Sequence, residues 1–366
     1  MPSRASRPTS VCVLTDLANP VPATELDEVV RLTAPPVWEA FRNQAMFLTG
    51  GTGFVGKWLL ECLLHADRAL GLGLKLTVLT REPDRFVQAS PHLAKAAPVT
   101  LLQGDVVDFE FPRGSFSSVI HAALPVASSG MGPSNLEQLA EAGTRRACEF
   151  AAACGARRFL QVSSGAVYGQ QPGDQGLAES LSWQEDDGAD GANTYTRAKR
   201  RAEAVVGQTW PFEVVIARCF AFIGPYLHAS SGVAAAQFIA QAASGKGIVV
   251  QGTGEAIRTY QYAGDMARWL LSCLALGAPG RAYNIGGETQ VSIAQLAAEV
   301  TRIAGTGIPV EVAGRPTPGL AGHRYVPSLR RAAEELGLAN AVSLDEGIRR
   351  TLAWLATPGA NRSFPA

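Results

Sequence analysis

The stretch M-F-L-T-G-G-T-G-F-V-G, Met46–Gly56, constrains this chain more than any other. A short apolar run leads into glycines at Gly50, Gly53 and Gly56. Beyond them Trp58-Leu59-Leu60 and Cys62-Leu63-Leu64 recur at helical spacing, so the order is strand, tight turn, helix. Glycines let backbone N–H groups approach a pyrophosphate with no Cβ in the way, and the helix N-terminus adds a favourable dipole. The spacing is G-x-x-G-x-x-G, not the G-x-G-x-x-G of many dehydrogenases. Gly-rich turns are common by themselves. The strand before and the helix after make this one read as a dinucleotide site, with Gly50, Gly53, Phe54, Val55 and Gly56 at the cofactor.

The rest of the chain repeats strand and helix. Residues 1–45 form an extension, rich in Pro, Ser and Ala up to residue 23. In it Thr24 caps a short helix to about Thr33, Pro35-Pro36 breaks the chain, and Val37–Asn43 makes a second short helix. Bracing the first strand is its more ordinary role; a contribution to oligomerisation is the alternative. The helix after Gly56 runs to about Leu70, and Leu74–Thr80 is a second strand ending in Thr80-Arg81. An NAD enzyme usually places an acid there for the adenosine ribose; Arg81 can instead pair with a 2′-phosphate. NADP is therefore favoured over NAD, the alternative being an exposed Arg81 that contacts nothing. A third strand at Val99–Leu102 precedes Asp105 and Val106, and Asp105 is either an acceptor for the adenine amino group or a turn residue.

Ser118–Ala123 is the fourth strand, whose small Ala122 and Ala123 leave room for the dinucleotide; His121 inside it reads as a buried structural histidine. Ser128–Pro133 is a loop of small residues, and Leu136–Ala153 is a long helix. Phe159–Ser164 is the fifth strand and ends in S-S-G-A-V-Y-G. A polar loop, Gln170–Asp190, leads to N-T-Y-T-R-A-K at Asn193–Lys199, which opens a helix to about Val206. Val214–Phe222 is the sixth strand. Strands alternating with helices give an α/β fold with a doubly wound parallel sheet. Residues 46–225 make the dinucleotide-binding domain, with a return near 260–287; residues 226–366 are mainly a smaller substrate-binding domain, with a polar turn at Arg258.

Tyr195 and Lys199 are four apart on one helix and share a face. A free tyrosine, with a pKa near ~10, is no base at neutral pH. A neighbouring cation favours the phenolate. Ser164, at a strand end before the glycine-rich site, can hydrogen-bond the same substrate hydroxyl. Together the three can take a proton from an alcohol while its carbon gives hydride to a nicotinamide. Tyr-x-x-x-Lys alone is a common surface pair; its order after a glycine turn and a Ser-bearing strand end makes it specific.

Composition excludes other classes. Lys plus Arg and Asp plus Glu both total 32, so no global field favours nucleic acid or an anionic membrane. Cys12, Cys62, Cys148, Cys154, Cys219 and Cys273 are scattered without a C-x-x-C pair, which implies neither zinc nor a disulfide framework. With no membrane-length apolar run and no secretory h-region, the expectation is a cytoplasmic protein.

T-G-G-T-G-F-V-G, S-S-G-A-V-Y-G and Y-T-R-A-K, in this order, resemble the extended short-chain dehydrogenase/reductases. Within them the resemblance is to the NAD(P)-dependent nucleotide-sugar epimerases and dehydratases, from about Met46 to Ala356. A-R-C-F-A-F-I-G-P and G-T-G-E-A-I-R-T-Y-Q-Y-A-G-D resemble the family's later segments. The resemblance implies a Rossmann-type sheet, a homodimer through Leu136–Ala153 and Thr194–Val206, and a nucleotide-diphosphate sugar as substrate. It gives Arg258 the diphosphate, with Arg315 a second candidate, and puts Ser164 and Gly165 beside the sugar. Lys199 would hold the cofactor ribose.

Three departures stand out. The family's dehydratases carry an acid pair right after the catalytic Ser or Thr; here those positions are Gly165 and Ala166. Ala221 replaces an expected Asn after R-x-F, and Ala140–Thr144 lacks the Asn of N-V-x-G-T. The expected activity is 4-epimerisation by transient oxidation at C4. Its alternative is NADPH-dependent reduction of a 4-keto sugar, ahead of 4,6-dehydration, a non-catalytic dinucleotide-binding protein, or a reductase of small carbonyls.

Overall fold

A computed structural model of the protein describes residues 19–124, 133–181, 193–305, 307–315 and 323–357. Two short helices, α1 (Ala23–Leu32) and α2 (Pro35–Phe41), come first. Thr24 lies inside α1, whose N-cap is Pro22, so it caps nothing. Nor does Pro35-Pro36 break the chain: the two prolines open α2. A proline at the first helical turn loses no hydrogen bond and brings a preset φ.

Strand β1 (Ala45–Thr49) feeds α3 (Phe54–Leu70) and β2 (Lys75–Thr80). Two short helices, α4 (Pro83–Ala89) and α5 (Pro91–Ala94), which the residue pattern does not reveal, lead to β3 (Val99–Gln103). Then come β4 (Ser118–His121), α6 (Pro133–Ala153), β5 (Arg158–Ser164) and α7 (Thr194–Val206). The α7 N-cap is Asn193, whose side chain accepts from Thr196 N. The expected loop at Ser128–Pro133 and the end of the Gln170–Asp190 loop lie outside the described residues, apart from Pro133.

The apolar run Val214–Phe222 is not one strand. It splits into β6 (Glu213–Cys219) and β7 (Ala221–Ile223), which join different sheets. Helix α8 (Ala234–Ala243), β8 (Ile248–Val250), β9 (Ile257–Tyr262), α9 (Ala263–Leu276) and β10 (Ala282–Ile285) follow. The region of Arg258 is thus a strand, where a polar turn was expected. The chain closes with β11 (Gln290–Ser292), α10 (Ile293–Ala304), β12 (Val310–Val312), β13 (Arg324–Tyr325), α11 (Arg330–Leu336) and α12 (Leu344–Ala356).

The main sheet has seven parallel strands in the order β10-β6-β5-β4-β1-β2-β3. The winding direction reverses between β1 and β4, so a crevice opens beyond their C-terminal ends. A second sheet is centred on β9, which pairs in parallel with β7 and β13 and antiparallel with β11. It carries Arg258 to the same side of the molecule as the end of β5, since Ser164 and Tyr325 of β13 touch.

The N-terminal segment adds a layer over α3. Buried Glu61 of α3 accepts from Val21 N at 3.1 Å and from the Tyr226 hydroxyl. The Tyr262 hydroxyl donates to Glu25 of α1, while Arg350 of α12 reaches Glu28 at 2.7 Å. Val37, Trp38 and Phe41 join the main core. The extension therefore packs on α3 and α9.

Candidate active site

The glycine turn is built by steric necessity at two positions. Gly50 has φ +71°, and a Cβ there would lie 2.6 Å from the carbonyl carbon of Ala122. A Cβ on Gly56 would lie 2.3 Å from Gly50 O, so α3 sits against the turn as only glycine permits. Gly53, the N-cap of α3, differs: the nearest atom to a Cβ there is Gly50 O at 3.5 Å. Two glycines close the turn on the protein, and the third leaves space at the helix N-terminus. That is the shape a pyrophosphate needs, so the residues present fit a dinucleotide.

Around this turn, Ala122 and Ala123 stand beside Gly50, Ala123 N donating to Thr49 Oγ1 at 3.2 Å. Phe54 and Val55 start α3 and pack against the core. Thr80 is buried at the end of β2, and Arg81 after it is exposed. A carboxylate does stand one residue further on, but Glu82 is turned to Arg85 at 3.2 Å. Asp105 Oδ1 accepts from Val107 N at 3.2 Å, the turn role among its two readings, and leaves Oδ2 with no partner among the described residues. Val106 packs on Gly143 of α6.

His121 is buried and bonded at both ring nitrogens, Nδ1 to Thr49 Oγ1 at 2.8 Å and Nε2 to Thr144 Oγ1 at 3.2 Å. Burial, then the nearby Lys199 charge, push its pKa down to about 3. It is a neutral structural residue. Its folded pKa lies below the ordinary 6.5, so the unfolded chain binds the proton first. His121 thus costs stability progressively as pH falls from about 6.5 toward 3, by up to ~1.4 kcal/mol per unit. His121→Gln removes that contribution: the wild-type stability advantage should shrink between pH 7 and pH 5 in urea titrations. A constant difference across that range would refute it.

Ser164 ends β5, and its Oγ accepts from Ala166 N at 3.2 Å in the 3₁₀ turn that follows. Lys199 is buried on α7 with Nζ donating to Val162 O at 3.0 Å, and it lies 5.8 Å from the Tyr195 ring centroid. Tyr195 packs on Leu136, Ala140 and Ala198. Helix α7 is locked to the sheet by a buried ion pair one turn beyond Lys199. Glu203 accepts from Arg218 of β6 at 2.7 Å and from Ser163 Oγ at 2.5 Å. Removing one partner of such a pair strands a buried charge and costs about 3–5 kcal/mol.

Two residues that the motifs do not flag complete the group. Tyr325 reaches Ser164 Oγ at 3.4 Å and interacts electrostatically with Tyr195. The Phe220 ring packs against Tyr325, tilted by 33°, with centroids 4.6 Å apart. That ring also fills the space beside Gly165, where a Cβ would lie 2.5 Å from Phe220 Cζ. Phe220 lies in the R-x-F segment, which does not single it out, and Tyr325 has no local sequence signal. Arg258 stands beyond, 5.8 Å from the Tyr325 ring, its Nη1 donating to Ile257 O at 2.8 Å and His323 O at 2.7 Å. Burial lowers its pKa from the ordinary value.

A cleft of about 690 Å³ adjoins Arg258, lined by Gln170, Gln237, Phe238, Gly252, Glu255 and His323 among others. Arg315 is exposed just past Gly314, which bonds Gly252 at the rim of this cleft. A larger groove of about 910 Å³, around Arg157 and Trp210, lies at the opposite end of the sheet and includes none of these residues. Among the described residues no cluster of His, Cys, Asp or Glu could hold a metal ion, and no helix is long and apolar enough to cross a membrane.

The model of the NAD dependent epimerase/dehydratase family matches residues 46–286, from the first strand through the last strand of the main sheet. The chain belongs to this family. Family members similar to it include the dTDP-glucose 4,6-dehydratase of Streptomyces niveus, 25% identical over 326 residues, which cover 84% of this chain and 92% of that protein. Among solved structures, the fold matches UDP-glucose 4-epimerase of Thermotoga maritima with UDP-glucose, at TM-score 0.71 and 21% identity, covering 85% of this chain and 98% of the other. It also matches dTDP-glucose 4,6-dehydratase DesIV of Streptomyces venezuelae with NAD and TYD bound, at TM-score 0.72 and 23% identity, covering 85% and 96%. The chain is therefore an enzyme of an NAD-dependent, extended short-chain dehydrogenase/reductase family. The 45 residues before the first matched position lie outside the family model.

Proposed function

We propose that this enzyme is a nucleotide-sugar 4-epimerase acting by transient oxidation at C4. The observation that carries the reading is the company Ser164 keeps. Tyr325 reaches its Oγ at 3.4 Å, Tyr195 interacts electrostatically with Tyr325, and Lys199 Nζ lies 5.8 Å from the Tyr195 ring, while the two residues after Ser164 are Gly165 and Ala166. Elimination of water across C5 and C6 needs one group to protonate the leaving hydroxyl and another to remove the C5 proton. Neither residue can do this, and the Phe220 ring already occupies the space a side chain at position 165 would use. Hydride transfer at C4 needs no such pair.

When bound, the nicotinamide supplies the hydride acceptor. Gly50, Gly53 and Gly56 would hold its pyrophosphate, and Ala122, Ala123, Asp105 and Val106 the rest of the dinucleotide. Ser164 orients the C4 hydroxyl, and Tyr195 takes its proton. Tyr195 must start as the phenolate and becomes the phenol on taking that proton, and the Lys199 ammonium favours the phenolate from which it starts. Arg258 offers Nη2 and Nε to the substrate diphosphate, and the adjoining cleft is large enough for a nucleoside. The helix pair α6 and α7, with exposed Gln138, Ala142, Arg201 and Ala204, is the homodimer surface.

The test is to purify the protein and supply UDP- and dTDP-hexoses without reductant. The expected result is retained cofactor and interconversion at C4; strict dependence on added NADPH would refute epimerisation.

One observation favours a second reading, reduction of a 4-keto sugar by NADPH. Exposed Arg81 follows the end of β2 with no carboxylate partner among the described residues, so a 2′-phosphate can meet it. Arg81→Ala should weaken NADP binding about 10-fold and leave NAD binding within about twofold. Equal loss for both cofactors, by fluorescence titration, would remove the NADP preference.

A further inference from the structure

We infer that the N-terminal extension is a strap that seats the second sheet against α3 and so fixes the spacing between substrate and dinucleotide. Its two fastenings are Tyr226 on Glu61 and Tyr262 on Glu25. The consequence for the substrate rests on the nucleotide-sugar reading above. The family model begins at residue 46, so the strap lies outside it. Three observations lead to it. First, the extension is bonded on two sides to different parts of the molecule. On one side it holds α3, the helix that starts at the glycine turn. Val21 N donates to buried Glu61 at 3.1 Å, and Asp27 pairs with His65 at 2.6 Å. On the other side it holds β9, α12 and the residue after α12. The Tyr262 hydroxyl donates to Glu25, and Arg350 reaches Glu28 at 2.7 Å. The Trp354 indole donates to Pro20 O at 3.2 Å, and Asn19 Nδ2 donates to Thr357 Oγ1 at 2.7 Å.

Second, the two sides carry the two ends of the proposed site. The glycine turn is at the N-terminus of α3, while β9 has Arg258 near its start and Tyr262 at its end. A helix and a strand carry a displacement along their length. A sugar nucleotide laid between Ser164 and Arg258 needs that spacing held. Third, the strap grips the point where the chain leaves β7. Tyr226, three residues beyond β7, has φ +70°, which strains a non-glycine residue. Such strain persists only where the surroundings over-determine the conformation. Here α3, α5, α12 and the extension do so together. The Tyr226 hydroxyl donates to Glu61, stands 2.9 Å from Asn19 O and 3.2 Å from His92 Nε2. Trp58 of α3 donates to Pro225 O at 2.9 Å, and Trp354 meets the Tyr226 ring edge-on at 5.3 Å.

The ion pairs along the strap are partly exposed and screened by solvent, so the two phenol–carboxylate bonds do most of the holding. One joins the extension and Tyr226 to α3, and the other joins the extension to β9. Glu25 and Glu61 are thus positioning residues, acting on the substrate through β9 and α3. The dinucleotide is held by the main sheet and α3 alone, so loosening the strap reaches it far less than the substrate.

The experiment compares Tyr226→Phe, Tyr262→Phe and the double variant with the wild type. Each variant loses one oxygen and keeps its ring, Tyr226 against Trp354 and Tyr262 against Trp58 at 5.7 Å. In either single variant KM for the sugar nucleotide should rise about 10-fold, with kcat within about threefold and dinucleotide affinity within about twofold. In the double variant the rise should again be about 10-fold, because a strap loosened at one end is already loose. Hydrogen exchange should quicken along the whole of α1 in both single variants. An unchanged KM overturns the inference. So does a rise of about 100-fold in the double variant, the product of two independent losses. Loss of dinucleotide affinity by the same factor as the substrate, or exchange that quickens only beside the altered residue, overturns it too. If the wild type turns over no sugar nucleotide, the nucleotide-sugar reading fails and the effect on substrate with it. The exchange along α1 then upholds or overturns the strap by itself.

Discussion

Tyr195→Phe will lower kcat by about 10³-fold while sugar and cofactor binding stay within about twofold. The change removes one oxygen and leaves everything that positions the ring. Leu136, Ala140 and Ala198 still pack against it, and Lys199 Nζ keeps its bond to Val162 O. No neighbour takes over the proton. His121 is held neutral and is bonded at both nitrogens, Gly165 and Ala166 have no group to offer, and burial keeps Tyr325 protonated. Steady-state kinetics beside calorimetric binding will check this. A variant with full turnover would remove Tyr195 from the chemistry, and one that no longer binds cofactor would make its role structural.

The second large effect is expected at the turn. Gly50→Ala should destabilise the protein by about 3 kcal/mol or more and abolish dinucleotide binding. Two costs combine there. The φ of +71° strains any L-residue, and the new methyl would meet the carbonyl carbon and oxygen of Ala122 and the nitrogen of Ala123, all at 2.6–2.7 Å. These are backbone atoms just past the end of β4, which cannot yield without opening the sheet at the switch point. Gly71→Ala is the control. Its φ is +61° but nothing lies within 4 Å, so only the conformational cost of about 1 kcal/mol should appear. Urea denaturation and a fluorescence titration with NADH check both. Equal destabilisation by the two changes would mean that crowding at Gly50 is not what holds the turn.

Why the glycine turn was legible in the sequence and Tyr325 was not follows from the range of each interaction. Gly50, Gly53 and Gly56 meet their structural needs within one turn and one helix, so spacing reports them. The same holds for Tyr195 and Lys199, one helical turn apart. Tyr325 meets Ser164 across 161 residues of chain, and no local pattern marks it. Pro35 misleads because a proline pair ends a helix as readily as it starts one. The run Val214–Phe222 misleads for another reason. Its apolar content is continuous, but Phe220 N still bonds Ile285 O at 2.9 Å before the chain crosses to pair β7 with β9. A change of sheet leaves no trace in hydropathy. Arg258 was singled out by its motif, yet its strand was not, because β9 gains its neighbours from β7, β11 and β13, far away in sequence. Thr24 shows the limit of capping rules: the N-cap of α1 is Pro22, two residues earlier, with no side-chain cap.

The most direct measurement of the central claim is the mass of the product. The purified enzyme is incubated with UDP- and dTDP-hexoses and with their 4-keto forms, with and without NADPH, and the sugar nucleotide is weighed by mass spectrometry. A site with Ser164, Tyr195 and Lys199 but no acid after Ser164 predicts a product of unchanged mass, or one heavier by two hydrogens when a 4-keto sugar is reduced. A product lighter by one water would contradict the account, because it would require proton-transfer groups where the structure has Gly165, Ala166 and the Phe220 ring.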